Sequence, residues 1–308
     1  MPRTELTRRE LVAGGLSLAA AAALPGGGRA AEVRRLSHGG FDIAVLSDGF
    51  LTLPAEVLLP DARQDERAEI LARLGGDAAG APVQVNIPLL RRGAEVILVD
   101  TGSGSHFQPS AGRLVANLRA LGLTPEDVTA VLCTHAHPDH SGATTDAAGV
   151  PLFPRARYVA ARAEWEFWTD SGFEQRWPEA LHGFARGARR DLLAVQDRLT
   201  LVEPGDEVLP GITAIGTPGH TPGHLSFEIA DSTPLLVTGD ACTSDVIFFE
   251  HPEWHFGFDT EPDRALHSRR QLLDRAATQQ MLMLGYHWAY PGLGRAERRG
   301  AAYRFVPG

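Results

Sequence analysis

The sequence predicts an α/β fold in which two similar halves pack sheet against sheet, with helices on the outside. Short apolar segments typical of buried strands alternate with segments whose apolar residues recur at helical spacing. An order of strands followed by helices occurs once before about residue 198 and again after it. No linker-like segment separates the halves, so residues 31–308 are expected to form one domain.

Each predicted element rests on its local pattern. Residues 95–100 (EVILVD) are a short apolar run that ends at a Thr-Gly turn, and residues 112–121 have apolar side chains at helical spacing. The predicted strands are 41–46, 95–100, 129–134, 200–202, 212–215, 225–229, 235–238 and 280–284. The predicted helices are 112–121, 160–169, 179–195 and 262–277.

Residues 1–30 have the layout of an export signal. A charged segment with two adjacent Arg residues precedes an apolar run of 14 residues and a small-residue end. This run is shorter than the roughly 20 residues that span a bilayer, and a buried helix is the alternative interpretation. Residues 7–11 (TRREL) resemble a twin-arginine signal, which implies export of the folded protein by the twin-arginine machinery. A periplasmic or secreted protein with no stable membrane anchor is therefore expected.

The composition excludes several kinds of site. All cations among the 308 residues are Arg, so a phosphate-loop lysine and Schiff-base chemistry are ruled out. The formal charge is −9, or −11 once residues 1–30 and their four Arg and two Glu are removed, which argues against a nucleic-acid partner. The two cysteines, Cys133 and Cys242, are expected to be buried free thiols, with a disulfide as the alternative.

The segment HAHPDH at 135–140 places four ligand-competent side chains within six residues, directly after a predicted strand. A tight loop there can direct them around two centres about 3.5 Å apart. Imidazole and carboxylate groups without thiolates suit Zn²⁺ and similar ions better than an iron–sulfur cluster. The segment therefore predicts a metal site.

Three later segments also place His or Asp just after a short strand. They are TPGHTPGH at 217–224, TGDA at 238–241 and GYH at 285–287. Each alone is an ordinary turn, but the four segments in this order resemble the metallo-β-lactamase superfamily of metal-dependent hydrolases. With LSDG at 46–49, ILVDTG at 97–102, PGLG at 291–294 and the closing YRFVPG, the chain most resembles the branch of methyl parathion hydrolase.

The resemblance implies a four-layer αβ/βα sandwich with a dinuclear site, and small-molecule substrates, at one edge of the two sheets. Two divalent metal ions, with zinc expected, would be held by residues assigned by motif position. His135, His137 and His220 would hold the first metal, Asp139, His140 and His287 the second, and Asp240 would bridge them. Asp100 and His224 are expected to orient ligands from behind, with a packed loop residue as the alternative for His224.

The expected reaction is hydrolysis, in which a hydroxide shared by both metals attacks a neutral ester, lactone or phosphotriester. Asp139 and Asp240 are then catalytic as well as ligating. No G-x-S-x-G segment supports a serine esterase. The alternatives are an iron-dependent redox or persulfide-processing enzyme on the same fold, and an acyl-homoserine-lactone lactonase. For the latter, the phenol that related lactonases place after the bridging Asp would fall at Thr243.

The expected substrate pocket is aromatic. By local motif, Phe107, Trp168 and Phe184 resemble the leaving-group pocket of the phosphotriesterase-like branch, with core packing as the alternative. Segment 248–258 (FFEHPEWHFGF) either covers the site or packs against the side of the domain. If its aromatic side chains are exposed, they would indicate a homodimer.

Overall fold

Two seven-stranded sheets form the centre of this computed structural model, which describes residues 33–308. In both sheets the strand order follows the chain. The first sheet contains β1 (Arg34–His38), β2 (Phe41–Pro54), β3 (Gly80–Arg92), β4 (Glu95–Val99), β5 (Ala130–Leu132), β6 (Arg157–Ala161) and β7 (Leu199–Val202). The second contains β8 (Glu207–Leu209), β9 (Ile212–Gly216), β10 (Leu225–Ile229), β11 (Leu235–Gly239), β12 (Leu282–Gly285), β13 (Leu293–Arg299) and β14 (Ala302–Pro307).

Helices accompany both sheets. They are α1 (Ala55–Leu58), α2 (Gln64–Arg73), α3 (Leu114–Ala120), α4 (Pro138–Ser141), α5 (Arg162–Thr169), α6 (Phe173–Arg176), α7 (His182–Ala194), α8 (Ile247–Glu250) and α9 (Pro262–Gln279). Short 3₁₀ turns lie at Pro125–Asp127, Gly142–Thr144, Glu179–Leu181 and Gln196–Arg198. The predicted αβ/βα sandwich is confirmed, and the change from one sheet to the other falls at residues 203–206, close to the predicted position.

Alternation along the strands builds the core. In β4, Ile97 and Val99 face a cluster that also contains Phe227 and Leu284 of the second sheet, so this cluster lies between the sheets. Their neighbour Leu98 belongs to a second cluster, which includes Leu273 of α9 and covers the outer faces. Burial on both faces explains why these strands are continuous apolar runs.

The parallel strands determine where the site lies. β4, β5, β6 and β7 are parallel, as are β11 and β12, so their carboxyl ends meet at the same edge of each sheet. The loops that follow β4, β5, β11 and β12 contain the predicted ligands or their neighbours. Topology alone therefore brings distant motifs together.

The structure contains strands that the sequence patterns did not predict: β1, β3, β8, β13 and β14. The longest, β3, contains Pro82 and Pro88, residues that usually argue against a strand. Both prolines pair with β2, whereas β4 pairs with β3 from Leu89 onward. The prolines therefore lie where β3 has one strand neighbour, the edge-like position in which a sheet tolerates proline. The predicted helix 160–169 is also corrected, because residues 160 and 161 end β6.

Among residues 33–308, no helix is long and apolar enough to cross a membrane. The predicted signal, residues 1–30, lies outside the described residues.

Candidate metal centre

All seven predicted ligands converge at one edge of the two sheets and are at most 8 % exposed. His135, His137, Asp139 and His140 follow β5, and α4 begins within this segment. The others come from the second sheet: His220 from the β9–β10 loop, Asp240 directly after β11 and His287 after β12. Their ligand atoms form three groups, each within 4.8 Å: His135, His137 and His220; His135, His140 and Asp240; and Asp139, His140 and His287.

The first group is a triangle of imidazoles. The ring centroids of His135, His137 and His220 are 4.7 Å apart in all three pairs. His137 Nδ1 lies 2.9 Å from His220 Nε2, so these two nitrogens face the same point. Three imidazole nitrogens around one point are a common ligand set for Zn²⁺.

Asp240 lies between the first group and the group of Asp139, His140 and His287, which is called the second group below. Its Oδ2 is 3.3 Å from His220 Nε2 and 3.4 Å from His287 Nε2, and its Oδ1 is 3.3 Å from His140 Nε2. His287 Nε2 is also 3.2 Å from Asp139 Oδ2. This is the position that a bridging carboxylate would occupy.

Partners behind the ligands fix the orientation of several imidazoles. Asp100 Oδ2 lies 2.8 Å from His140 Nδ1, and the Asp100 carboxylate also accepts hydrogen bonds from the backbone and hydroxyl of Thr134, both at 2.7 Å. His287 Nδ1 lies 2.7 Å from the Gln84 carbonyl oxygen. Such contacts leave the other ring nitrogen, Nε2, aimed at the site.

His220 has partners that sequence patterns did not identify. Its Nδ1 is 2.9 Å from Asp259 Oδ1, and Arg269 of α9 donates to Asp259 Oδ2 at 3.3 Å. Arg269 is 1 % exposed and also donates to the carbonyl oxygens of Ala241 and Trp254. No local motif marks Asp259 or Arg269, because they meet His220 through tertiary packing.

His224 lies behind Asp240 and is not among the grouped ligand atoms. Its Nε2 accepts a hydrogen bond from the Asp240 backbone at 2.9 Å, and its Nδ1 lies 2.8 Å from Thr217 Oγ1. Burial, with a smaller contribution from His220, lowers the pKa of His224 to about 3. The ring is therefore neutral and orients the loop that presents Asp240.

The electrostatics differ between the two groups. Burial lowers the pKa of His135 and His137 well below the usual value, so both stay neutral, the form that binds metal. Burial also opposes protonation of His287, but the charges of Asp240 and Asp139 outweigh it and raise the pKa of His287 to about 10. A cation bound there must therefore displace a proton, and acid opposes metal binding.

The residues present fit two divalent cations. His135 Nε2, His140 Nε2 and Asp240 Oδ1 are buried and have no hydrogen-bond partner within residues 33–308. Buried polar atoms are nearly always paired, so unpaired ones that converge on a point require an explanation. Metal coordination supplies it, because imidazole nitrogen and carboxylate oxygen are the donors that Zn²⁺ and similar ions take.

The two glycines of TPGHTPGH allow helices to pack closely against this loop. A Cβ on Gly219 would lie 2.0 Å from the backbone nitrogen of Ala265 in α9. A Cβ on Gly223 would lie 2.1 Å from the backbone nitrogen of Glu164 in α5. Each repeat of the motif thus places a glycine where another element passes.

A cleft of about 340 Å³, including space open to solvent, leads to these ligands. It is lined by Leu51, Leu53, Phe107, His137, Pro138, Asp139, Phe184, His220, Asp240, Phe256, Phe258 and His287. The structure thus places Phe107 and Phe184 on the cleft wall. The sequence patterns missed Leu51 and Leu53 there, whereas Phe258 belongs to the segment that was expected either to cover the site or to pack against the domain.

The pocket prediction for Trp168 is corrected. Trp168 is 1 % exposed, and it lies behind His137 at 5.6 Å between ring centroids instead of lining the cleft. Its Nε1 donates to Glu164 Oε1 at 2.6 Å. Glu164 and Trp168 are four residues apart on α5 and therefore share a face that points into the protein.

Segment 248–258 packs against the domain with part of its length and lines the cleft with the rest. Phe248 is buried under Arg269, whose guanidinium carbon is 3.9 Å from the ring centroid, while Phe256 and Phe258 reach the cleft. Trp254 stacks on His251 at 3.7 Å. Because these aromatic side chains are buried or half-buried in their own chain, they do not supply the exposed patch that would indicate a homodimer.

Cys133 and Cys242 are both buried and free, as expected. Burial raises the pKa of the Cys242 thiol to about 12, so this thiol is protonated at neutral pH. Neither cysteine belongs to a ligand group.

The family follows from comparison with known proteins. The profile of the Metallo-beta-lactamase superfamily matches residues 80–287. The chain belongs to the metallo-β-lactamase superfamily. The match begins at β3 and ends on His287, so it includes all seven predicted ligands of this superfamily member.

Curated relatives include N-acyl homoserine lactonases. The chain is 36% identical over 140 residues to AttM of Agrobacterium fabrum and 27% identical over 177 residues to AiiA of Bacillus thuringiensis subsp. kurstaki. These alignments cover 41% and 57% of this chain and 46% and 62% of the relatives. The chain thus spans about half the length of the curated relatives it matches.

Two solved structures are similar over nearly their whole length. AidC, a dizinc quorum-quenching lactonase in complex with a product, has a TM-score of 0.83 and 27% identity, covering 90% of this chain and 97% of its own. The hydrolase AbOPH of the beta-lactamase superfamily has a TM-score of 0.84 and 28% identity, covering 91% and 99%. The curated relatives named above are lactonases, so the likeness confirms the superfamily and not the narrower branch of methyl parathion hydrolase.

Proposed function

We propose that this protein is a dinuclear metal-dependent hydrolase of neutral lactones and esters. One observation supports this most directly: every polar side chain that lines the cleft belongs to the predicted ligand set. These residues are His137, Asp139, His220, Asp240 and His287. No Ser, Cys, Lys or Tyr lines the described cleft, and its carboxylates and imidazoles all belong to the predicted ligands, so none of them is free to act as a covalent nucleophile once metal is bound.

Two divalent cations, with zinc expected, would supply an activated water and polarise the scissile carbonyl. His135, His137 and His220 would hold one cation, and Asp139, His140 and His287 the other, with Asp240 shared. Asp100, Asp259 and the Gln84 carbonyl keep the Nε2 atoms of their histidines aimed at the site. Asp139 lines the cleft and is placed to accept a proton during the reaction.

The wall of the cleft favours a neutral, apolar substrate. Among the described residues that line it, none is Arg, so a substrate carboxylate held away from the metals would find no guanidinium to bind. This argues against β-lactams, whose ring carries such a group. Leu51, Phe107 and Phe184 would pack against an alkyl chain or an aryl ring.

The lactone assignment is supported by the relatives, whose names give N-acyl homoserine lactones as their substrates. One residue near the site differs from the related lactonases. Thr243, which stands where related lactonases have a phenol, is buried and does not line the cleft. An acyl amide would find no side-chain donor besides the ligands, so lactones without an amide are expected to react at least as well.

Aryl phosphotriesters are a second candidate class of substrate. Their hydrolysis would also support membership in the methyl parathion hydrolase branch. The observation that favours them is the aromatic part of the wall. The Phe184 ring is 5.8 Å from that of Phe258, and Phe107 lines the same cleft. Such a wall suits an aryl leaving group.

A hydrolysis panel tests the proposal. Zinc-loaded protein would be assayed on alkyl γ- and δ-lactones, N-hexanoyl homoserine lactone, an aryl ester and an aryl phosphotriester, with chelated protein as the control. We expect turnover of a lactone or ester that is lost on chelation and restored by zinc. Protein that binds two zinc ions and hydrolyses none of these would contradict the proposal. Iron at one ion per chain after native expression would favour the redox alternative.

We also propose that the protein is exported through the twin-arginine route. The support is the charged, apolar and small-residue order of residues 1–30. Fusion of these residues to a reporter should direct it out of the cytoplasm, and replacement of Arg8 and Arg9 by Lys should retain it. Export of the double variant would contradict this route.

A further inference from the structure

Glu164 is a buried carboxylate that none of the ligand assignments uses. It lies in the first turn of α5 and is 1 % exposed. A carboxylate in this environment is costly unless donors surround it. Its partners therefore indicate what it does.

Those partners belong to both ligand loops. Glu164 Oε1 accepts hydrogen bonds from the Ala136 backbone at 2.9 Å and from Trp168 Nε1 at 2.6 Å. Its Oε2 accepts one from the Thr221 hydroxyl at 2.6 Å. Ala136 lies between His135 and His137, and Thr221 follows His220. Every predicted ligand of the first metal is therefore adjacent in sequence to a group that Glu164 binds.

Close packing of α5 against the His220 loop leaves the Glu164 side chain little room to move. α5 approaches the His220 loop so closely that a Cβ on Gly223 would meet the backbone of Glu164. The two loops come from different sheets, and Glu164 binds a group in each. No other residue is hydrogen-bonded to both Ala136 and Thr221 among the described side chains.

We propose that Glu164 is a positioning residue that joins the two ligand loops and sets the separation of His135, His137 and His220. The proposal rests on the two-metal site of the proposed function. It predicts an asymmetric effect, because the second group has its own supports. Asp100 holds His140, and the Tyr286 hydroxyl donates to the Asp139 carbonyl oxygen at 2.7 Å.

The test compares Glu164→Ala with Glu164→Gln. In Glu164→Ala, the affinity for one of two zinc ions should fall about 10–100-fold, as for other residues that orient ligands, while the second affinity stays within about threefold. Glu164→Gln should restore the first affinity to within about threefold, because its amide oxygen accepts both N–H bonds and its amide nitrogen donates to Thr221. If Glu164 only stabilised the fold, Glu164→Ala would lower the melting temperature without weakening one zinc ion selectively.

Zinc affinities would be measured by competition with a chromophoric chelator, and the lost ion located by anomalous diffraction. Asp48→Asn is the matched control, since Asp48 is a buried carboxylate that accepts three backbone N–H bonds in another loop, and it should keep both ions. If Glu164→Ala does not fold, Thr221→Val should weaken the first site alone.

Two unchanged affinities in the variant that folds, or a Gln variant as weak as the Ala variant, would overturn this inference. Wild-type protein that does not bind two zinc ions would instead overturn the proposed function.

Discussion

The metal-ligand cluster, defined by the seven predicted ligands, and the wall of the cleft are adjacent but are held in different ways. In the cluster, His140, His220 and His287 each have a fixed partner on the ring nitrogen that faces away from the site. The wall consists of apolar side chains from separate segments, such as Phe107 and Phe184, which make packing contacts instead. The chemistry is therefore fixed by the fold, whereas substrate choice depends on side chains that can change without disturbing it.

The largest effect is expected in the cluster, at Asp240. Asp240→Ala removes the carboxylate that lies between the two groups, so at least one metal should be lost. We expect kcat/KM to fall by more than about 100-fold, the upper range for residues that merely orient ligands. Metal analysis and steady-state kinetics check this, with the exposed Asp197→Ala as the control. Near-normal activity with both metals still bound would show that Asp240 is not shared.

A smaller loss is expected from the partner of His220. Asp259→Ala frees the His220 ring and leaves the buried Arg269 without its carboxylate. Zinc affinity should fall about 10–100-fold, and stability should fall too because a buried charge loses its pair. The exposed Asp263→Ala on the neighbouring helix provides the comparison. Equal zinc affinities in the two variants would mean that His220 does not need Asp259.

A substitution in the wall of the cleft should change substrate specificity and leave the metal content unchanged. Phe184→Ala removes an aromatic side chain from the cleft, and KM for an apolar lactone should rise about tenfold, from the loss of roughly 1.5 kcal/mol of apolar contact. Both zinc ions should remain bound. Phe50→Ala, which truncates an exposed Phe on β2 that does not line the cleft, should change neither quantity. Loss of metal in Phe184→Ala would remove the distinction between wall and cluster.

A further effect concerns pH and bears on stability instead of activity. Burial lowers the pKa of His224 to about 3, against about 6.5 when unfolded. Between these values the unfolded chain binds the extra proton, so His224 contributes stability above pH 6.5 that is lost as the pH falls toward 3. In metal-free protein, the stability advantage of wild type over His224→Gln should shrink by up to about 1.4 kcal/mol per pH unit below 6.5. Denaturation at several pH values measures this, and parallel pH profiles would contradict it.

The same contrast explains what the sequence could predict. The ligands occur in short motifs after strands, and parallel strands bring such ends together, so the cluster was predictable from His135 to His287. Glu164 and Asp259 have no motif, because their partners are distant in sequence and are met through packing. Trp168 was placed on the wall from a local match, but its position four residues after Glu164 turns it inward. The strand β3 was missed because Pro82 and Pro88 usually argue against a strand. They are tolerated here because this part of β3 pairs with β2 alone.

Anomalous diffraction from zinc-loaded crystals tests the central claim most directly. We predict two zinc peaks about 3.5 Å apart, the spacing typical of dinuclear hydrolases. One should be bound by His135, His137 and His220, and the other by Asp139, His140 and His287, with Asp240 between them. A single peak, or peaks ligated by other residues while these side chains point apart, would contradict the account.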